Sequence, residues 1–181
     1  MSNVFHLDKL RKGCSGIMPS LGSFMCDCAI FSLASQNHLS GMPLTVKTHN
    51  GNTNFILKWE GEIDLQMHRT MNDFDRATDY WAMCLAIFFV LNMTNYEHFT
   101  FSRKESGVDF WLFKEAPDSA DTSKADARLE VSGIRKASKT NTIDLRHKIK
   151  KKQVKQSNAS GLDVYIAITE FSEPSSLFIK Q

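Results

Sequence analysis

Apolar residues recur along this chain with two different periods, and each period predicts a different element. Over 74–92, Phe74, Ala77, Trp81, Leu85 and then Phe88 and Phe89 fall at helical spacing, with Asn72 or Asp73 placed to cap the first turn. The stretch 80–93 is apolar nearly all round, which predicts a central buried helix. It is shorter than the roughly twenty residues that a membrane span needs. FMCDCAIFSL (24–33), PLTVKTH (43–49) and NFILKWEG (54–61) read as three strands of an antiparallel meander, separated by QNHLSGM (36–42) and the turn signal HNGN (49–52). Beyond the helix, EHFTFSR (97–103), VDFWLFK (108–114) and ARLEVSGI (127–134) read as three more strands, joined by a turn at 102–107 and a polar loop at 115–126. A second helix is predicted over 141–156, a β-branched strand over 163–171 and a short edge strand over 176–180. Residues 1–22 show no sustained period and read as loop or an irregular arm.

The predicted fold is α+β: an αβββαβ core over 70–181, with an N-terminal antiparallel strand extension over 1–69 packed on it or continuing its sheet. A length of 181 residues with 42% hydrophobic residues, 13 of them Phe, is enough to bury a real core. The net charge of +2 does not by itself announce a nucleic-acid binder, yet Arg146, Lys148, Lys150, Lys151, Lys152 and Lys155 crowd into the second predicted helix. Few acids lie there to neutralise them. A phosphate backbone, an acidic protein or a plain solvated face would each account for the run. Cys14, Cys26, Cys28 and Cys84 lack CxxC spacing, and Cys26 and Cys28 fall on one face of a predicted strand. They read as buried reduced thiols, which together with the lack of a signal-peptide core suggests a cytoplasmic protein with no membrane partner. His38 reads as a turn residue, and His68, His98 and His147 are solitary.

Two acids interrupt apolar runs: Asp109 in GVDFWLF (107–113) and Glu130 in ARLEVSG (127–133). Strict alternation turns both away from their apolar neighbours, onto a face shared with Trp111 and with Arg128 or Ser132. That face is mixed rather than uniformly polar. It admits either a shared acidic site or acids that are solvated or salt-bridged. Paired carboxylates on neighbouring strands suit magnesium, which takes oxygen ligands, keeps several waters and binds beside phosphate.

The order helix, three strands, helix, strand across 73–171, with Asp109 in GVD (107–109) and Glu130 in EVS (130–132), resembles the PD-(D/E)xK nuclease superfamily, the restriction-endonuclease-like fold. The resemblance covers a little over half of the chain and extends to uncharacterised bacterial proteins. It implies catalytic roles for Asp109 and Glu130, a magnesium ion held by them with Asp79 of the first core helix as a further ligand, and DNA or RNA as substrate. The family's lysine two residues beyond the glutamate is replaced by Ser132, which supplies no positive charge. Either a cation has migrated into its place, with Lys104, Arg135, Lys136, Lys148 and Lys152 as candidates, or catalysis is lost and the fold kept. The departure at Ser132 favours a non-catalytic nuclease-fold component of a bacterial complex, in defence against foreign DNA, that binds nucleic acid or a protein partner. The alternative is a metal-dependent phosphodiesterase that uses Asp109 and Glu130.

Overall fold

The computed structural model describes residues 4–103, 106–119, 121–157 and 161–181. Its eight strands form one mixed sheet, in the spatial order β1 (Val4–His6), β3 (Gly51–Lys58), β2 (Met42–Thr48), β8 (Ser175–Lys180), β7 (Asp163–Glu170), β6 (Ala127–Ile134), β5 (Phe110–Phe113), β4 (His98–Phe101). With helices α3 (Phe74–Met93) and α4 (Ile143–Gln156), the last two thirds of the chain runs α3-β4-β5-β6-α4-β7, the order that the periodicity predicts. Strand β5 is antiparallel to both its neighbours, and β6 runs parallel to β7 because α4 carries the chain back between them.

Helix α3 starts where its cap stands. The Asp73 side chain accepts a hydrogen bond from the Arg76 amide at 3.1 Å, and Trp81, Leu85 and Phe89 are fully buried along the face that meets the sheet. Gly133 of β6 allows that approach, since a Cβ there would stand 2.6 Å from the Thr78 methyl and 2.7 Å from its carbonyl oxygen.

The N-terminal third departs from the predicted meander. Residues 24–33 belong to helix α1 (Pro19–Ala34), not to a strand. The run is almost continuously apolar, so it carries no period that separates a buried strand from a buried helix, and Pro19 at the first helical turn decides the matter. Helix α1 packs on α3, and Cys26 and Cys28 are buried in that helical layer rather than on a strand face. Residues 4–12 are not an arm. Strand β1 pairs parallel to β3, and a 3₁₀ turn over Leu7–Lys12 follows, fixed by Asp8, whose carboxylate accepts from the Glu60 amide at 2.9 Å and pairs with Arg11 at 3.0 Å. A short helix, α2 (Leu65–Thr70), lies where no element is predicted, capped by the Asp64 side chain accepting from the Met67 amide. The β2–β3 hairpin is present, and its parallel pairing of Thr45–Lys47 with Ser175–Leu177 of β8 makes it a continuation of the same sheet.

Helices α1 and α3 bury one face of the sheet in a large core that includes Phe31, Trp81, Phe89, Leu129 and Phe171. Helix α4 covers the middle of the other face, where Val154 joins Ile134, Ile166, Ile168 and Leu177 in a second, smaller core. Among the described residues, no helix is long and apolar enough to cross a membrane.

Candidate active site

Strand β6 lies between β5 and β7 and is covered on both faces, so its alternation sorts residues between two helices rather than between core and water. Ala127, Leu129 and Val131 enter the α3 core. Arg128, Glu130 and Ser132 take the opposite face, towards α4. Glu130 is therefore only 3% exposed, and the outward orientation that alternation alone suggests becomes burial beneath a helix.

Asp109 immediately precedes β5 instead of lying within it, yet it keeps ladder geometry: its amide donates to the Leu129 carbonyl and its carbonyl accepts from the Ser102 amide, both at 2.9 Å. Since Phe110 pairs with Leu129, Asp109 stands across from Glu130. Its Oδ2 accepts a hydrogen bond from the Val131 amide at 2.7 Å, which fixes the carboxylate. The two acids are thus neighbours on one sheet face.

Helix α4 completes the group. Ile143, His147, Lys150 and Val154 recur at three- and four-residue spacing and form the stripe that meets the sheet, although only Val154 is fully buried. The Lys150 ammonium donates to Glu130 Oε1, and Gln153 Nε2 donates to the same oxygen at 3.2 Å and to the Gly107 carbonyl at 3.3 Å. One helix turn thereby joins the glutamate to the segment that carries Asp109.

Electrostatics follow from this packing. Burial pushes the Glu130 carboxyl up, the neighbouring Asp109 charge pushes it further, and Lys150 with Gln153 pulls it back, leaving it at about 7. Asp109 is also raised, by burial first, against the opposing pull of the Val131 amide and Lys150. Near neutral pH the pair holds proton that exposed carboxyls would have released. Asp79 lies on an exposed part of α3; partial burial raises its carboxyl, with Lys150 opposing. It acts on Asp109 through space.

Among the described residues, no three His, Cys, Asp or Glu side chains are grouped to hold a metal ion, so Asp79 does not complete a three-acid cluster. The donor set is the Asp109 and Glu130 pair. Two carboxylates fit magnesium, which binds through one or two acids with waters and substrate phosphates; they do not fit zinc, which favours nitrogen and sulfur in a closed tetrahedron.

The other predicted residues separate into distinct places. Ser132 is buried two residues beyond Glu130, and Lys104 lies outside the described residues. Arg135 sits over the Phe74 ring, 3.5 Å from its centroid, and Lys136 is exposed. Lys148, Lys151, Lys152 and Lys155 are exposed on the outer side of α4, while Arg146 is held to Asn141 Oδ1 at 2.8 Å. Lys150, read from the sequence only as one of several phosphate-facing cations, is the one among the described residues that reaches the acids. The spacing of Ile143 and Val154 marks the inner face of α4 and places Lys150 on it. That signal is faint in so charged a run.

A second buried acid provides the contrast. Glu170 is as inaccessible as Glu130, but its oxygens accept from the backbone amides of Ala137, Ser172 and Glu173 at 3.1, 2.9 and 2.8 Å. Its carboxylate ties a turn together. Comparison of the chain with family models, with curated proteins and with solved structures gave no match.

Proposed function

We propose that this protein is a magnesium-dependent phosphodiester hydrolase acting on DNA or RNA, in which Lys150 supplies from α4 the positive charge that Ser132 does not supply from β6. The observation that carries this reading is the convergence of Asp109, Glu130 and Lys150 at one point of the sheet. The resemblance of the αβββαβ order and of the GVD and EVS segments to the PD-(D/E)xK superfamily supports it. Asp109 and Glu130 would hold the ion; when bound, magnesium lowers the pKa of a water and offsets charge on the phosphate. Asp109 is oriented for this by the Val131 amide, and Glu130 by Gln153. Glu130 gives up its proton as the site fills, since only the carboxylate is a ligand. Lys150 stays beside it as a donor to the negative oxygens that develop at phosphorus. The exposed lysines of α4 bind the flanking phosphates in a salt-dependent manner. Free thiols at Cys26, Cys28 and Cys84, all buried, fit a reducing, cytoplasmic setting.

Ser132 is the observation on the side of the other reading, a non-catalytic component of a bacterial defence complex that binds nucleic acid or a protein partner. A cleavage assay separates the two. Labelled single- and double-stranded DNA and RNA are incubated with magnesium or manganese and native protein, Asp109→Asn, Glu130→Gln, Lys150→Ala or Lys150→Arg. The hydrolase reading predicts metal-dependent cleavage, abolished in the two acid variants, lowered about 10²- to 10³-fold in Lys150→Ala and less in Lys150→Arg. Absence of cleavage on all four substrates, or cleavage indifferent to Asp109→Asn, would overturn it.

A further inference from the structure

The acids stand at one end of a strip that continues along the same face of the sheet. Next to the Asp109 and Glu130 pair, Trp111 lies across from Arg128, and Thr100 lies across from Trp111 on the outer strand. Two residues along a strand is about 7 Å, a short step from the acids. Helix α4 packs over β6 and β7 and leaves this outer part of the face uncovered, with Trp111 half-buried.

A cavity of about 480 Å³ opens there, lined by Trp111 together with Thr100, Ser102, Arg103, Ser106 and Thr122. Its volume is in the range of small-ligand sites. Among the described residues the lining combines two aromatic side chains, Trp111 and the exposed Phe101, with four hydroxyls and one cation, Arg103. The one acid among the described lining residues, Asp121, accepts from the Ser123 amide at 2.9 Å and from the Ser123 hydroxyl at 2.7 Å, which fixes it in place and leaves its negative charge beside Arg103. Arg128, across the strand pair from Trp111, is 1% exposed and has no carboxylate ion-paired with it among the described residues, so positive charge also lies beneath the strip. The cavity is joined to the acids through the backbone, since the Ser102 amide donates to the Asp109 carbonyl.

We propose that this cavity is a nucleobase subsite, in which Trp111 stacks one unpaired base of the strand whose phosphate lies at Asp109 and Glu130. The proposal rests on the hydrolase reading for that phosphate and adds the class of substrate: single-stranded or locally unpaired nucleic acid. An aromatic face with Arg103 at its rim suits a base and its phosphate, because stacking accepts any base while the positive charge accompanies the backbone. A base inside an intact duplex has both faces covered and cannot reach Trp111 without leaving the stack. Hydroxyls around the ring satisfy the polar edge that stacking leaves open.

Of the three tryptophans, Trp59 and Trp81 are buried, so quenching of fluorescence by a bound base reports on Trp111. The test uses the metal-free protein and three probes: oligothymidylate, an abasic oligonucleotide of equal length, and a duplex. Oligothymidylate is expected to quench the fluorescence and to bind about tenfold more tightly than the abasic strand, with the duplex giving no quench. Trp111→Ala removes the difference between the two single strands, and Trp111→Phe retains most of it. Equal binding of both single strands by native protein, or quenching equal for duplex and single strand, would overturn the subsite. The Asp109→Asn, Glu130→Gln double variant separates this proposal from the hydrolase reading: it retains the quench while losing cleavage. Quenching by a native protein that never cleaves refutes the hydrolase reading and leaves the subsite; cleavage without base-dependent quenching refutes the subsite alone.

Discussion

Two glutamates, each buried to the same extent on neighbouring strands, differ in who satisfies them. Glu170 is held by three backbone amides. Its replacement by Gln leaves amides without an ionised acceptor and is expected to lower stability by about 2–3 kcal/mol, read by urea denaturation, without altering metal binding. Glu130 is satisfied by side chains, and its carboxyl is raised from 4.5 to about 7. The sign follows from proton counting. Between those values the folded protein retains a proton that the unfolded chain has lost, so stability from this group is greatest below about 4.5 and declines as pH rises to about 7. Asp109 is raised in the same direction and adds to the decline. Glu130→Gln removes Glu130's share. Urea melts at pH 5 and pH 8 should therefore show the variant gaining on the native protein by a few kcal/mol at the higher pH; a constant difference would contradict the raised carboxyl. Both acids stood out in the sequence as charges within apolar runs. Their burial did not, because alternation specifies a face and leaves open what covers it.

At the level of elements, helix α3 is legible from its cap and its period, and β7 from its β-branched residues. Helix α1 is not: its almost continuously apolar run fits either type of element, and Pro19 marks a helix start only once the residues that follow it are known to be helical. Helix α4 is legible as a helix, but cations on all sides obscure its inner face, and the packing of Val154 on the sheet is what singles out Lys150. The close contact of α3 with β6 makes a further prediction. Gly133→Ala places a methyl against Thr78 and should cost about 1–3 kcal/mol, read as a lowered thermal midpoint, with Thr78→Ala in the same chain recovering part of the loss by removing the methyl in the way. An unchanged midpoint would mean that helix and strand are not pressed together at this glycine.

For the molecule as a whole, the sheet is the unit. Residues 1–69 contribute β1, β2, β3 and α1, and these join residues 70–181 through the β2–β8 ladder and the packing of α1 on α3. Unfolding is expected as one transition, coincident by circular dichroism and by tryptophan fluorescence; two separated transitions would contradict a shared core. The candidate site is equally a product of the whole, since its acids come from two strands and its cation from a helix that crosses between β6 and β7. Their place within apolar runs singles out the two acids in the sequence, whereas the position of the cation depends on the fold. The most direct test of the central claim, that Asp109, Glu130 and Lys150 form one site able to hold magnesium, is calorimetric titration of manganese into native protein and into an Asp109→Asn, Glu130→Gln double variant of verified fold. The account predicts one ion per native chain, bound more weakly below pH 7 with release of a proton, and none in the variant. Absence of binding to the native protein, or equal binding to both, would contradict it.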